Sequence, residues 1–210
     1  MNNPMNFLKK ALYCFDERKD GCVLAYSRDG KLSLCSTNAY TAAIMTVPCE
    51  SVPPLYSFVS LAKAKAVKTV DDLIQLAQSE NDLTVKYPIE SLLDAEVVAS
   101  AKLSKKELRL VYKQVEPSTE QLAGGVMTLR IEPEMIVMEC KAEHDFFCET
   151  KGCAGIKSSA ASLKRALDNI SGNALDVRIA LGKVMMMWIV GEHKNGFVEH
   201  HFVTQVVPRR

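Results

Sequence analysis

The chain has 210 residues, 48% hydrophobic and 24% charged, with 26 basic side chains against 25 acidic ones and a formal net charge of +1. Enough apolar material is present to bury a core, which excludes intrinsic disorder, and the near-neutral balance excludes a global polycation. The longest apolar stretch, 184–190, is seven residues, far short of the roughly 20 that a membrane-spanning helix needs. The opening MNNPMNFLKK has no signal-peptide pattern, and seven cysteines in such a chain read as reduced thiols in a cytoplasm, so no membrane partner is expected.

In chain order, the apolar spacing predicts a helix opening at FLKKAL (7–12), with Leu8, Leu12 and Phe15 on one face. A β-rich stretch follows over 23–47, broken by Asp29-Gly30, the dipeptide of a tight hairpin. A helix is predicted over 60–78, with 56–61 open to a strand reading, and a strand over 83–87. The pattern then returns. LSKKEL (103–108) matches the first helix opening, and 126–150 aligns without gaps on 23–47 at an offset of 103, with Glu132-Pro133 in the place of Asp29-Gly30. A helix over 158–171 and a strand over 175–179 repeat the second unit, and the chain closes with a hairpin: 184–190, a turn at Asn195-Gly196, and 197–207. The expectation is an α+β protein of two tandem similar domains, 1–98 and 99–210, each with helices on one face of antiparallel sheets.

The charges are sorted. Four windows at the helix starts, 5–15, 60–70, 104–113 and 157–165, hold Lys9, Lys10, Lys63, Lys65, Lys68, Lys105, Lys106, Arg109, Lys113, Lys157, Lys164 and Arg165, against one acid, Glu107. The rest of the chain carries 14 basic and 24 acidic groups. A solvated helix face would show Glu interspersed at i, i+4 spacing, and that is largely missing here. The other reading is a surface for a polyanion, and nucleic acid is the natural one, held through phosphates without sequence choice. Aromatics are only 7%, with no zinc-finger or RNA-binding signature, so base reading is not indicated.

Tandem domains with basic helices on one side and strands on the other resemble the DNA sliding clamps that serve as replication processivity factors. LKRALDNI (163–170), the strand 175–181, the Met/Val-rich strand and the ending VTQVVPRR (203–210) are similar to the last domain of a bacterial β clamp, and DGKLSL (29–34) followed by 39–47 resembles an opening domain. The resemblance implies a ring with a helical inner wall and an outer wall of sheet. Two domains per chain imply a homotrimer, of a phage type or otherwise, around double-stranded DNA. Lys9, Lys10, Lys63, Lys65, Lys68, Lys105, Lys106, Arg109, Lys113, Lys164 and Arg165 would face the duplex. Val206, Val207 and Pro208 would border a groove for peptides of a DNA polymerase and a clamp loader, the other reading being an ordinary buried last strand. A clamp-like interaction module that closes no ring is the alternative function.

Other constellations carry less. Cys140, His144, Cys148 and Cys153 have the look of a metal site, but on an extended strand Cys140 and Cys148 would stand roughly 26 Å apart. Adjacent His200 and His201 point to opposite faces of a strand. Gly124-Gly125 lacks the Gly-Lys-Ser/Thr of a phosphate loop, and no nucleophile elbow or zinc-protease motif occurs. No catalytic residue, metal or cofactor is expected.

Overall fold

A computed structural model describes residues 3–14, 21–38, 40–80, 89–115, 125–140 and 142–206. The chain forms two compact units, the first Met1–Pro88 with His193–His200, the second Ile89–Glu192 with His201–Arg210. Residues 98 and 99, where the sequence pattern suggests a division, lie inside a strand of the second unit.

The first unit opens with α1 (Pro4–Leu8), which starts earlier than its apolar spacing suggests. Asn3 caps it, its side chain accepting from the Met5 amide at 2.9 Å, and Pro4 fills the first position, where no amide is needed. The chain then tightens into a 3₁₀ turn, Lys9–Cys14, where the Ala11 carbonyl accepts from the Ser36 hydroxyl. Strands β1 (Cys22–Arg28), β2 (Lys31–Thr37), β3 (Thr41–Pro48) and β4 (Tyr56–Ser60) follow, all antiparallel, in the order β4-β1-β2-β3. Asp29 and Gly30 take φ of 51° and 67°, the left-handed pair of a two-residue hairpin.

The helix expected over 60–78 is two helices, α2 (Leu61–Ala66) and α3 (Val70–Ser79). The break has a local cause. Val67 and Thr69 are extended, and Thr69 forms a reciprocal cap with Asp72: the Thr69 hydroxyl accepts from the Asp72 amide and the Asp72 carboxylate from the Thr69 amide, both at 3.1 Å. The strand expected over 83–87 falls outside the described residues. Phe7, Leu8, Leu34, Met45 and Leu73 lie in one core between helices and sheet.

The second unit contains α4 (Ile89–Leu93), β5 (Glu96–Ser104), α5 (Lys105–Val115), β6 (Val126–Glu132), β7 (Met135–Glu139), β8 (Glu143–Phe147), β9 (Glu149–Lys151), β10 (Ala154–Ser159), α6 (Ala160–Asn169), β11 (Ala174–Leu181) and β12 (Met185–Glu192). The last strand, β13 (Val198–Thr204), belongs to this unit from His201 onward. One sheet runs β10-β6-β7-β8; the other runs β13-β12-β11-β5-β9. The first of these repeats the order β4-β1-β2-β3 strand for strand, so the internal repeat read from residues is present as topology. Both sheets and both long helices bury side chains in one core: Leu108, Val111 and Leu163 from helices, Leu129 and Met138 from one sheet, Val177 and Ile189 from the other.

Two positions tie β9 to β5. Lys102 donates to Glu149 at 3.1 Å across the pair. Gly152, at φ +70°, brings the backbone so near that a Cβ there would stand 2.3 Å from the Val98 carbonyl oxygen, so only glycine fits.

Candidate functional site

Helix α5 leaves β5 without a loop, and its start is fixed by a second reciprocal cap. Ser104 Oγ accepts from the Glu107 amide at 3.2 Å while Glu107 Oε2 accepts from the Ser104 amide at 2.6 Å. The Ser104 backbone and side-chain bonds hold the Glu107 carboxyl below its ordinary range. In α6, Ser159 plays the capping part, accepting from the Ser162 amide at 3.3 Å.

The two helices lie antiparallel, pinned at three points. Tyr112 donates its hydroxyl to the Ala160 carbonyl at 3.2 Å, Arg109 donates to the Leu167 carbonyl at 3.0 Å, and Lys105 donates to the Ile170 carbonyl. Leu108, Val111, Tyr112 and Val115 of α5 and Ala160, Leu163, Ala166 and Leu167 of α6 are buried, which turns the remaining positions outward. On that outward side stand Lys106, Leu110, Lys113, Lys164 and Arg165, all exposed, with Lys105 and Arg109 half-buried. A groove of about 410 Å³ is lined by Lys105, Lys106, Arg109, Leu110, Lys113 and Asn173.

The cations are not equivalent. Lys105 and Arg109 close the free carbonyls at the C-terminal end of α6, where positive charge is favoured. Asp168, beyond the basic run and unmarked by the sequence pattern, lies 3.9 Å from Arg109 and 3.5 Å from Lys164. It is one acid set among cations. Its signal in the sequence is its i, i+4 spacing from Lys164.

Six of the expected duplex-facing residues thus share one helical face: Lys105, Lys106, Arg109, Lys113, Lys164 and Arg165. The other five lie in the first unit. Lys9 donates to the Lys65 carbonyl at 2.7 Å, Lys10 sits 5.5 Å from the centroid of the Phe7 ring, and Lys63 pairs with Glu80. Lys65 is exposed on α2, and Lys68 is exposed in the break between α2 and α3 rather than within a helix. Lys157 is on β10, outside any helix.

The sheet β10-β6-β7-β8 presents a different surface. Arg130 donates to Glu132 at 2.9 Å, Glu139 at 2.8 Å and Glu143 at 2.7 Å, while its neighbours Leu129 and Ile131 face the core. Around Arg130, then, three carboxylates of this sheet meet one cation.

At the end of the chain, Gln205 donates its amide to the Met185 carbonyl at 3.0 Å, and Val206 donates to the Lys157 carbonyl at 2.9 Å. The last described residues therefore run between β10 and the start of β12. Val207 and Pro208 lie outside the described residues. Leu181 and Val184, 47% and 46% exposed at the turn before Met185, add an apolar surface that sequence reasoning did not single out. The run VMMM was its visible trace.

Cys140 follows β7 with its Sγ 3.7 Å from the Val126 carbonyl, His144 faces Met138 across β7 and β8, and burial pushes the Cys148 thiol up. Among the described residues, no three His, Cys, Asp or Glu side chains come together as a metal-ligand set. Nor is any described helix long and apolar enough to cross a membrane.

No protein-family model and no curated protein sequence matches the chain. Solved structures do. The DNA polymerase III beta subunit of Thermotoga maritima superposes with a TM-score of 0.73 at 12% identity, over 98% of this chain and 63% of that one. The sliding clamp of Pseudomonas aeruginosa bound to griselimycin gives 0.70 at 11% identity, over 97% and 63%. The DNA polymerase sliding clamp of Bacillus subtilis gives 0.69 at 12%, over 98% and 62%. The chain spans about 63% of the length of these relatives in shape. With two units of matching strand order and helices that share a core with antiparallel sheets, it has the fold of the DNA sliding clamps.

Proposed function

We propose that the chain is a DNA sliding clamp, a ring-forming processivity factor that encircles duplex DNA and tethers a DNA polymerase. The observation that carries this is the α5–α6 face, where Lys106, Lys113, Lys164 and Arg165 are exposed with Lys105 and Arg109 half-buried beside them, while a neighbouring sheet gathers carboxylates around Arg130. Such a surface attracts phosphates without reading bases. A closed ring needs no more than that, because topology supplies the retention and weak contacts permit sliding.

The ring would be a homotrimer with heterologous interfaces that close by rotation. It would work in the cytoplasm and perform no covalent step. Polymerase and clamp-loader peptides would dock beside Val206, Val207 and Pro208, with the exposed Leu181 and Val184 extending the apolar surface.

Light scattering behind a sizing column, across a dilution series, tests the ring. The expected species has three times the mass of one chain and persists on dilution, and at high salt, where charge contacts are screened, it stays on circular DNA while sliding off linear DNA. A monomer at high concentration overturns ring closure. That outcome favours a clamp-like interaction module, a reading supported by one observation: among the described residues the first unit holds one sheet, whereas the second holds two.

A further inference from the structure

Among the described residues, seven large apolar side chains are markedly exposed, and Leu110, at 51%, is the one of them set in a helix. It lies in the middle of α5, on the cationic groove. Lys106, Leu110 and Lys113 stand at i, i+4 and i+7, so they form one stripe along the outward side, with Leu110 between the two charges. The helix rise places the ends of that stripe about 10 Å apart. Lys105 and Arg109 border the same groove, but their head groups already serve the carbonyls at the end of α6. A surface built only for a bare polyanion gains nothing from an exposed leucine at its centre. Water is a poor neighbour for that side chain, and a sugar ring is a better one.

We propose that this stripe is a seat for one stretch of sugar–phosphate backbone, in which Lys106 and Lys113 hold phosphates and Leu110 packs on the deoxyribose between them. The inference rests on the duplex-facing reading of α5 and adds a residue to it. Leu110 makes the surface prefer nucleic acid over other polyanions, and it contributes a part of the affinity that salt does not screen. The lysines contribute the part that salt does screen, through counterion release.

The test compares the unsubstituted chain with Leu110→Ala, Leu110→Met, Lys106→Ala and Lys113→Ala, using a linear DNA duplex and inorganic polyphosphate as ligands over a range of salt. Leu110 is exposed and alanine is a good helix former, so the fold survives, and circular dichroism melts check this. Leu110→Ala is expected to weaken duplex binding about threefold to tenfold with the salt slope unchanged, to leave polyphosphate binding alone, and to be rescued by Leu110→Met. Each lysine variant is expected to flatten the salt slope by about 0.9 and to weaken both ligands. Duplex affinity unmoved by Leu110→Ala, or an equal loss for polyphosphate, overturns the inference while the duplex-facing reading stands. Failure of the unsubstituted chain to bind duplex at low salt overturns that reading, and this inference with it.

Discussion

The guanidinium carbon of Arg178 lies 4.6 Å from the centroid of the Trp188 ring, and the other side of that layer is Phe202, stacked on Trp188 at 5.3 Å with planes 24° from parallel. Strands β11, β12 and β13 each contribute one member. Asp176 holds the arginine in place, its Oδ2 accepting from Nε at 2.8 Å and from the terminal nitrogen at 2.7 Å. Trp188 is the chain's one tryptophan and is 5% exposed, so its emission reports this layer directly. Arg178→Ala uncovers the ring and leaves Asp176, whose Oδ1 is buried without a partner, with no cation. The expected loss is about 2 kcal/mol, with emission shifted to the red. Arg178→Lys keeps the charge but not the flat stack, and should fall between. Urea titration followed by fluorescence checks both. Unchanged emission with an unchanged midpoint would show that the stack contributes nothing.

Gly152 is irreplaceable for two reasons at once, its positive φ and the Val98 carbonyl 2.3 Å from where a Cβ would stand. Gly152→Ala is expected to cost more than about 1 kcal/mol and to loosen β9 from β5 before the rest of the unit opens. Hydrogen exchange over the paired stretches Ser100–Lys102 and Glu149–Lys151, read beside the thermal midpoint, separates local release from global loss. Equal protection in both proteins would refute the close approach.

The Ser104–Glu107 cap carries a pH dependence of known sign. The folded carboxyl titrates below its unfolded value, because it accepts from Ser104. Its contribution is therefore fully present above the unfolded pKa of about 4.3 and disappears as pH falls through the lower, folded value. At neutral pH, Glu107→Ala should melt earlier than the unsubstituted chain, and the gap should close in acid. Ser104→Ala should cost about 1 kcal/mol. A gap that is constant from pH 7 to 3 would rule out the carboxylate as the source.

Asp168 stands 3.9 Å from Arg109 and 3.5 Å from Lys164. On the proposed duplex-facing surface it would compete with phosphates for those cations. Asp168→Asn is expected to tighten duplex binding a few-fold at low salt, with the gain vanishing at high salt. Alanine at Lys10, Lys106, Lys164 and Arg165 together should do the reverse without unfolding the protein. Anisotropy titrations at two ionic strengths decide. An Asp168→Asn chain that binds no tighter would mean that these helices do not face the duplex.

Sequence pattern carried much of this fold because its strongest features are local. The spacing of Leu108, Val111 and Tyr112 marks an amphipathic helix by itself, and Asp29-Gly30 announces a turn that needs positive φ. Strand β5 was hidden because Ala99, Ser100 and Ala101 dilute its alternation. The break at Val67 and Thr69 is made by a cap rather than by glycine or proline, so an apolar periodicity runs across it unmarked. Within the site, the basic side chains were legible as residue types. Which of them are already engaged was not, because Lys105 and Arg109 meet carbonyls some sixty residues away that only the antiparallel docking of α5 and α6 brings near.

The order β4-β1-β2-β3 and the order β10-β6-β7-β8 are one wiring diagram written twice with few letters in common. What is held constant between the copies is who bonds to whom along the backbone, and backbone bonds are indifferent to most of the side chains hung on them. A ladder of that kind tolerates wholesale drift as long as inward positions stay apolar and the turns keep their geometry. The same indifference accounts for a chain whose letters match no family while its shape overlays clamps from three bacteria at about one shared residue in eight.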